Sequence, residues 1–246
     1  MSDRGTRDKG TRDGAMREAA MRDAGRSPST EASAPTPFRT PYPSYRVLDK
    51  WDTPSFNEAT RRVLADRLRN VPSRRFLDPA TYATLRALVD TILPQPERPQ
   101  AERVPVEAFL DAMLYADAGN GTRYADALAP RAAWRRGLAG IEQEAIRRHG
   151  CGFAALGPTE RAALLRRIDD GDVDPAAWQD MKPRRFFRSM LLNEAVKVYY
   201  AHPYAMDEIG FGGPASPRGY VRLGPNEADP WEAPLSLAPQ PVQRLD

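Results

Sequence analysis

Among 246 residues there is one cysteine, Cys151, and there are two histidines, His149 and His202. A single thiol closes no internal disulfide, so no disulfide framework holds this chain. His149-Gly150-Cys151 sets two metal-binding side chains close together, but a structural zinc site takes four ligands from Cys and His. His149 therefore reads as a helix-ending residue and Cys151 as a small buried thiol. There is no G-x-S-x-G elbow, no G-x-G-x-x-G turn and no Walker loop. The expectation is a chain with no catalytic residues, no cofactor and no metal of its own. Long apolar runs are missing too: nothing approaches the ~20 residues of a membrane span, and the N-terminus has no apolar signal core. Arg61-Arg62 and Arg135-Arg136 lie on helical patterns deep in the chain and are not export signals. By its own sequence the protein reads as soluble and cytoplasmic, with no membrane insertion. Nor does one sign of charge dominate. With 36 basic against 33 acidic residues, no patch or stripe stands out for a nucleic acid to bind. Only four of the basic residues are lysine, a bias that carries no functional weight.

What is present is a 41% hydrophobic fraction together with 24 prolines and 17 glycines, which implies a core carrying long irregular segments. Four stretches differ in composition: a tail over 1–30, a Pro/aromatic strap over 31–54, a helical domain over 55–200 and a C-terminal arm over 201–246. Residues 6–25 form four pentads, TRDKG, TRDGA, MREAA and MRDAG. A period of five matches neither a helix face nor a strand face. With methionine as their largest apolar residue, these pentads cannot bury a core, so disorder is expected; Met16 and Met21 offer alternative starts. The strap carries Tyr42, Tyr45 and Trp51 among prolines that stiffen it and lower the entropy lost on docking. It fits equally against this protein's own surface or a partner's.

The middle predicts an all-α domain of six or seven helices. Ser55 and Glu58 have capping-box spacing, followed by Phe56, Ala59, Val63, Leu64 and Leu68 at helical intervals. Asp78-Pro79 is an N-cap with proline in the first turn, ahead of Tyr82, Leu85, Leu88, Val89 and Ile92. A third helix starts near Val104-Pro105 and breaks at Gly119-Asn120-Gly121. A fourth runs from Pro130 toward His149, with Trp134, Leu138, Ile141, Ala145 and Ile146 on one face. Gly157-Pro158-Thr159 opens a fifth, with Leu164, Leu165 and Ile168 inward. The last runs from Pro183 to about Tyr200. No alternating β-branched run is long enough for a strand, and short connections imply antiparallel neighbours.

Residues 199–220 are unusual for a linker, with five aromatics, four glycines and three prolines among them. Glycine permits close backbone approach, proline fixes direction, and tyrosine and tryptophan are the types most often found at energetic centres of interfaces. Three readings fit: an arm that embraces a partner, an arm folded back over its own helices, or a loop that forms a ligand pocket with His202. His202 itself reads as a hydrogen-bonded structural residue, since no serine, cysteine or metal cluster nearby gives it work as a base.

The stretch Phe76 to Pro94, FLDPATYATLRALVDTILP, resembles the opening helix of the gluconate 2-dehydrogenase subunit 3 family. Tyr199, Tyr200, Pro203, Gly212, Gly213 and Tyr220 are similar to that family's closing signature, in which a helix ending in Tyr-Tyr leads to a proline, a Gly-Gly turn and an aromatic. The resemblance covers about residues 70–225. It implies an accessory role: a non-catalytic small subunit of a membrane-associated dehydrogenase that oxidises a sugar acid, sugar or alcohol, gluconate in the name-giving case. The partner would be a large FAD-containing subunit of the glucose–methanol–choline oxidoreductase class, where hydride passes to the flavin, with a cytochrome c subunit carrying haem c as acceptor in some complexes. The small subunit would serve assembly, stabilisation or maturation of the flavoprotein. Family members with a twin-arginine signal accompany it through export; this sequence shows none, so a periplasmic location would follow only from co-export with a partner.

The interface expected on this reading comprises Tyr42, Tyr45 and Trp51 of the strap with Tyr199, Tyr200, His202, Pro203, Phe211, Gly212, Gly213, Tyr220 and Trp231 of the arm. The alternatives from other classes are a stand-alone helical protein binding a small ligand and a transient assembly chaperone. An obligate subunit expressed alone is expected to aggregate, whereas a ligand-binding module should behave well.

Overall fold

A computed structural model describes residues 40–117 and 128–212. The chain divides into two units, Met1–Arg39 and Thr40–Asp246, and all described residues fall in the second. The pentads, the Gly119-Asn120-Gly121 break, Gly213, Tyr220 and Trp231 lie outside the described residues.

Among the described residues the structure is helical and has no strand, as the sequence predicts. The α-helices are α1 (Glu58–Arg69), α2 (Pro79–Ile92), α3 (Val106–Ala116), α4 (Pro130–His149), α5 (Pro158–Asp170), α6 (Pro175–Trp178), α7 (Pro183–Arg185), α8 (Asn193–Tyr200) and α9 (Pro203–Met206). A π-helical segment, Phe186–Leu192, joins α7 to α8, so 183–200 is one continuous rod.

Local chemistry explains most of the boundaries. Asp78 accepts from the Ala80 and Thr81 N–H groups at the head of α2, and proline occupies the first turn of α2, α4, α5, α6, α7 and α9, where a missing N–H costs nothing. Gly150 and Gly171 end α4 and α5 at φ 74° and 82°, a left-handed turn that suits glycine. The head of α1 corrects the sequence reading: its cap is Asn57, whose side chain accepts from Thr60 N–H, not Ser55. Phe56 donates its N–H to the Thr53 carbonyl at 3.3 Å and buries its ring. The chain is thus still turning at Ser55, and the helix cannot begin there.

The main core gathers Leu85, Leu88, Leu110, Trp134, Leu138, Ile141, Phe153, Leu164, Ile168, Trp178, Phe186, Leu191 and Tyr199 from α2 to α8. Helix α2 packs on α3, α4 and α5; α4 carries α6 and the π segment; α3 lies against α8. Close approach at α4 needs small residues. A Cβ on Gly137 would run into the Phe186 ring, and one on Gly140 would sit 2.9 Å from Trp178 Cδ2.

Two buried carboxylates tie irregular chain to the helices. Asp111, fully buried on α3, accepts three consecutive backbone N–H groups, from Arg75 at 2.5 Å, Phe76 at 3.1 Å and Leu77 at 2.8 Å. Glu144 on α4 accepts from Asp174 N–H at 2.5 Å and Arg148 Nε at 2.9 Å. Burial alone would push the Glu144 carboxyl up, but the Asp174 N–H and the Arg148 and Arg147 guanidiniums outweigh it and hold it below its ordinary value.

A second, smaller core holds Tyr45, Val47, Phe56, Leu64 and Met206, with Tyr42, Leu48 and Trp51 packed against it. It joins the strap and α1 to α9, and it shapes the surface considered next.

An apolar groove as candidate functional site

Where α8 ends, Tyr199 and Tyr200 meet edge to face with ring centroids 5.0 Å apart. The chain then turns at His202, which is 3% exposed. His202 Nδ1 accepts from Tyr204 N–H at 3.3 Å and caps α9. That assignment places the ring proton on Nε2, which donates to the Arg67 carbonyl at 3.2 Å. Burial pushes the imidazole pKa down to about 4, the Arg67 carbonyl opposing and the nearby Arg67 and Arg98 charges adding to it. With both nitrogens committed and the ring neutral, His202 orders the chain and has no free valence for acid–base chemistry.

Below the turn, Glu208 Oε1 accepts from Tyr199 OH at 2.7 Å and from Arg98, whose Nη2 also donates to the Tyr204 carbonyl at 2.7 Å. Burial and the Glu208 carboxylate push the Tyr199 phenol up. For Arg98, burial opposes the charge, but Glu208 and Tyr199 hold the guanidinium above its usual value.

The strap lies along this protein's own arm. Thr40 Oγ1 donates to the Glu208 carbonyl at 2.7 Å, Tyr45 OH to the Phe211 carbonyl at 3.0 Å, and Val47 N–H to Asp207 Oδ1 at 2.7 Å. Burial, with Asp207 and Asp49 nearby, raises the Tyr45 phenol to about 12. Burial also raises Asp207, partly offset by the Val47 N–H and by Arg46. Lys50 reaches the Gly212 carbonyl at 3.4 Å. Two of the open sequence readings are therefore met together: the strap covers the protein's own core, and the arm as far as 212 folds back. The arm's opening also contains α9 and a 3₁₀ turn, Asp207–Ile209, which the sequence reading did not resolve.

Of the residues expected at an interface, Tyr45, Tyr199, His202 and Pro203 are buried, Tyr42, Trp51, Tyr200 and Gly212 are half-buried, and Phe211 is 44% exposed. Tyr200 and Phe211 share a groove of about 610 Å³ with Ala59, Val63, Leu64 and Met206, and Thr60, Arg67 and Lys197 supply its polar side chains. A smaller hollow of about 210 Å³, which reaches Phe109 and His202, continues from it across Arg67, Lys197 and Ala201. Sequence reasoning missed Val63, Arg67 and Lys197. Val63 was placed on the core stripe of α1, yet it is 50% exposed. The signal that could have found it is the width of that stripe, which exceeds the one face α1 buries through Leu64.

Arg67 Nη1 donates to the Ala201 carbonyl at 2.5 Å. Burial pulls the guanidinium below its usual value, with Asp66 opposing. Lys197 pairs with Glu194 at 2.9 Å. The groove can thus take an apolar group and offer it positive charge at one side. Its lining does not fit a dinucleotide, which needs a glycine-rich turn and a helix N-terminus aimed at its phosphates. Among the described residues no three His, Cys, Asp or Glu side chains gather to hold a metal, and no helix is long and apolar enough to cross a membrane.

Residues 79–213 match the family model for gluconate 2-dehydrogenase subunit 3, more than half of the chain, and the protein belongs to that family. The match opens on the Asp78-capped α2 and ends just beyond Gly212. No curated protein and no solved structure matches the chain.

Proposed function

We propose that this chain is the non-catalytic small subunit of an FAD-dependent dehydrogenase acting on a sugar acid, sugar or alcohol, and that it works by binding and maturing the large flavoprotein subunit. Family membership over 79–213 carries the reading. The flavin of the large subunit would supply the redox chemistry, with a cytochrome c subunit as acceptor where one is present. This chain's residues supply surface. The strap, the closing turn and α1 hold one another in place, and the groove between α1 and the closing turn leaves Val63 and Phe211 open to a partner. Because the strap donates to the Glu208, Phe211 and Gly212 carbonyls and to the Asp207 carboxylate, the surface is already shaped before a partner arrives, which lowers the ordering cost of association.

The test is deletion of this chain in its own host. The expected result is a flavoprotein that loses flavin and dehydrogenase activity, both restored by the full chain supplied in trans. A flavoprotein with unchanged flavin content and activity in the deletion strain would overturn the reading.

A small-ligand reading draws on the groove's volume, which falls within the range of about 300–1,000 Å³ common for such sites. It loses its proposed polar anchor, because both nitrogens of His202 are bound within the chain.

A further inference from the structure

The two walls of the groove come from different parts of the chain. Lys197, Tyr200, Ala201, Met206 and Phe211 lie within the family span of 79–213; Ala59, Thr60, Val63, Leu64 and Arg67 lie on α1, which precedes it. Arg67 locks the walls together, since its guanidinium donates to the Ala201 carbonyl and its own carbonyl accepts from His202.

The guanidinium is half-buried, and among the described residues no carboxylate stands within ion-pair distance of it. A cation drawn partly out of water that hydrogen-bonds a carbonyl, with Asp66 acting on it only at longer range, gains from an incoming carboxylate, which forms a charge-assisted bond. Beside it the lining is apolar, and the exposed Val63 and Phe211 carry that character to the groove's mouth, with Ile209 exposed on the same loop. An open apolar groove with a half-paired cation suits a segment of polypeptide laid along it: apolar side chains on the floor and one acidic side chain at the Arg67 end.

We propose that this groove seats an apolar segment of the flavoprotein subunit, an aspartate or glutamate of that segment meeting Arg67. The inference rests on the small-subunit reading above. It assigns the docking surface to the junction of α1 with the closing turn, and it gives α1, outside the family span, a part in selecting which flavoprotein is bound.

The experiment captures the full-length tagged chain with its co-expressed flavoprotein and measures flavin retained per chain at rising salt. Val63→Glu changes an exposed position and should lower retained flavin about tenfold or more, as truncation or charging of an interface centre does. Arg67→Gln should lower it too and should flatten the salt dependence, because the screened ion pair is gone. Ile146→Glu, on an exposed face of α4 that lines no part of the groove, should leave it unchanged. Circular dichroism confirms that each variant is folded; Val63→Glu keeps the test decisive if Arg67→Gln is not. A folded Val63→Glu that retains wild-type flavin overturns the proposal while leaving the small-subunit reading intact. A wild-type chain that retains no flavin overturns both. Self-association lost in Val63→Glu with flavin retention unchanged would give the groove to a second copy. That result overturns the proposal.

Discussion

At the scale of single residues, buried polar groups decide what can be changed. Asp111 satisfies three backbone N–H groups at once. Asp111→Ala would strip the partner from all three, the buried Leu77 N–H among them, and an expected loss of about 3 kcal/mol or more follows; urea unfolding measures it. His202 gives a pH signature. Its imidazole is held neutral down to about 4, against 6.5 for a free histidine, so the unfolded chain binds the extra proton between those values. Stability from this group is complete above pH 6.5 and falls as pH drops toward 4. Asp207 and Glu107 are raised by burial and run in the opposite direction, since their contribution is lost as pH rises. The readout is therefore the difference in Tm between wild type and His202→Gln, which should shrink as pH falls through that window. A difference independent of pH would contradict the buried, neutral ring. The sequence revealed the structural role of His202 through the absence of chemical partners nearby. It could not reveal Asp111, because nothing about an isolated aspartate on a helical stripe says that three distant N–H groups will meet it.

At the scale of elements, legibility followed the range of the cause. Asp78-Pro79, Pro130 and Pro158 act within a turn of their own position, and the helix starts they predict are the ones observed. The rod 183–200 needed more. Its buried residues run Phe186, Leu191, Ala195, Tyr199, a step of five and then steps of four. The π segment absorbs the extra residue, so that Leu191 and not Met190 follows Phe186 into the core. Phe186 is set by the notch at Gly137, and that fit is tertiary. Gly137→Ala should cost about 1–3 kcal/mol through overpacking against the Phe186 ring. Gln179 carries a different strain. At φ 51° and ψ −114° it holds the first central position of a turn closed by Met181 N–H to the Trp178 carbonyl at 2.9 Å, a II′ geometry that favours glycine. Gln179→Gly should raise stability by about 1 kcal/mol, read as a higher Tm; an unchanged or lower Tm would show the strain to be compensated by the contact with Arg136.

At the scale of the whole molecule, segments far apart in sequence make one surface. The strap reaches the closing turn through contacts such as Tyr45 with Phe211 and Val47 with Asp207, more than 150 residues apart in the chain. Composition marked both segments as built to bury aromatics, but it could not say that they bury them against each other. Nor could it foresee that Val63 of α1 and Phe211 of the closing turn would stay exposed on one groove beside Arg67. What the motifs around Asp78-Pro79 and Tyr199-Tyr200 did carry was the family, and with it the central claim that the chain serves a flavoprotein. Native mass spectrometry of the tagged full chain, purified gently from its own host, tests that claim most directly. The account predicts a stoichiometric complex of this chain with one large FAD-containing subunit. A colourless, soluble monomer that carries no flavoprotein would contradict it.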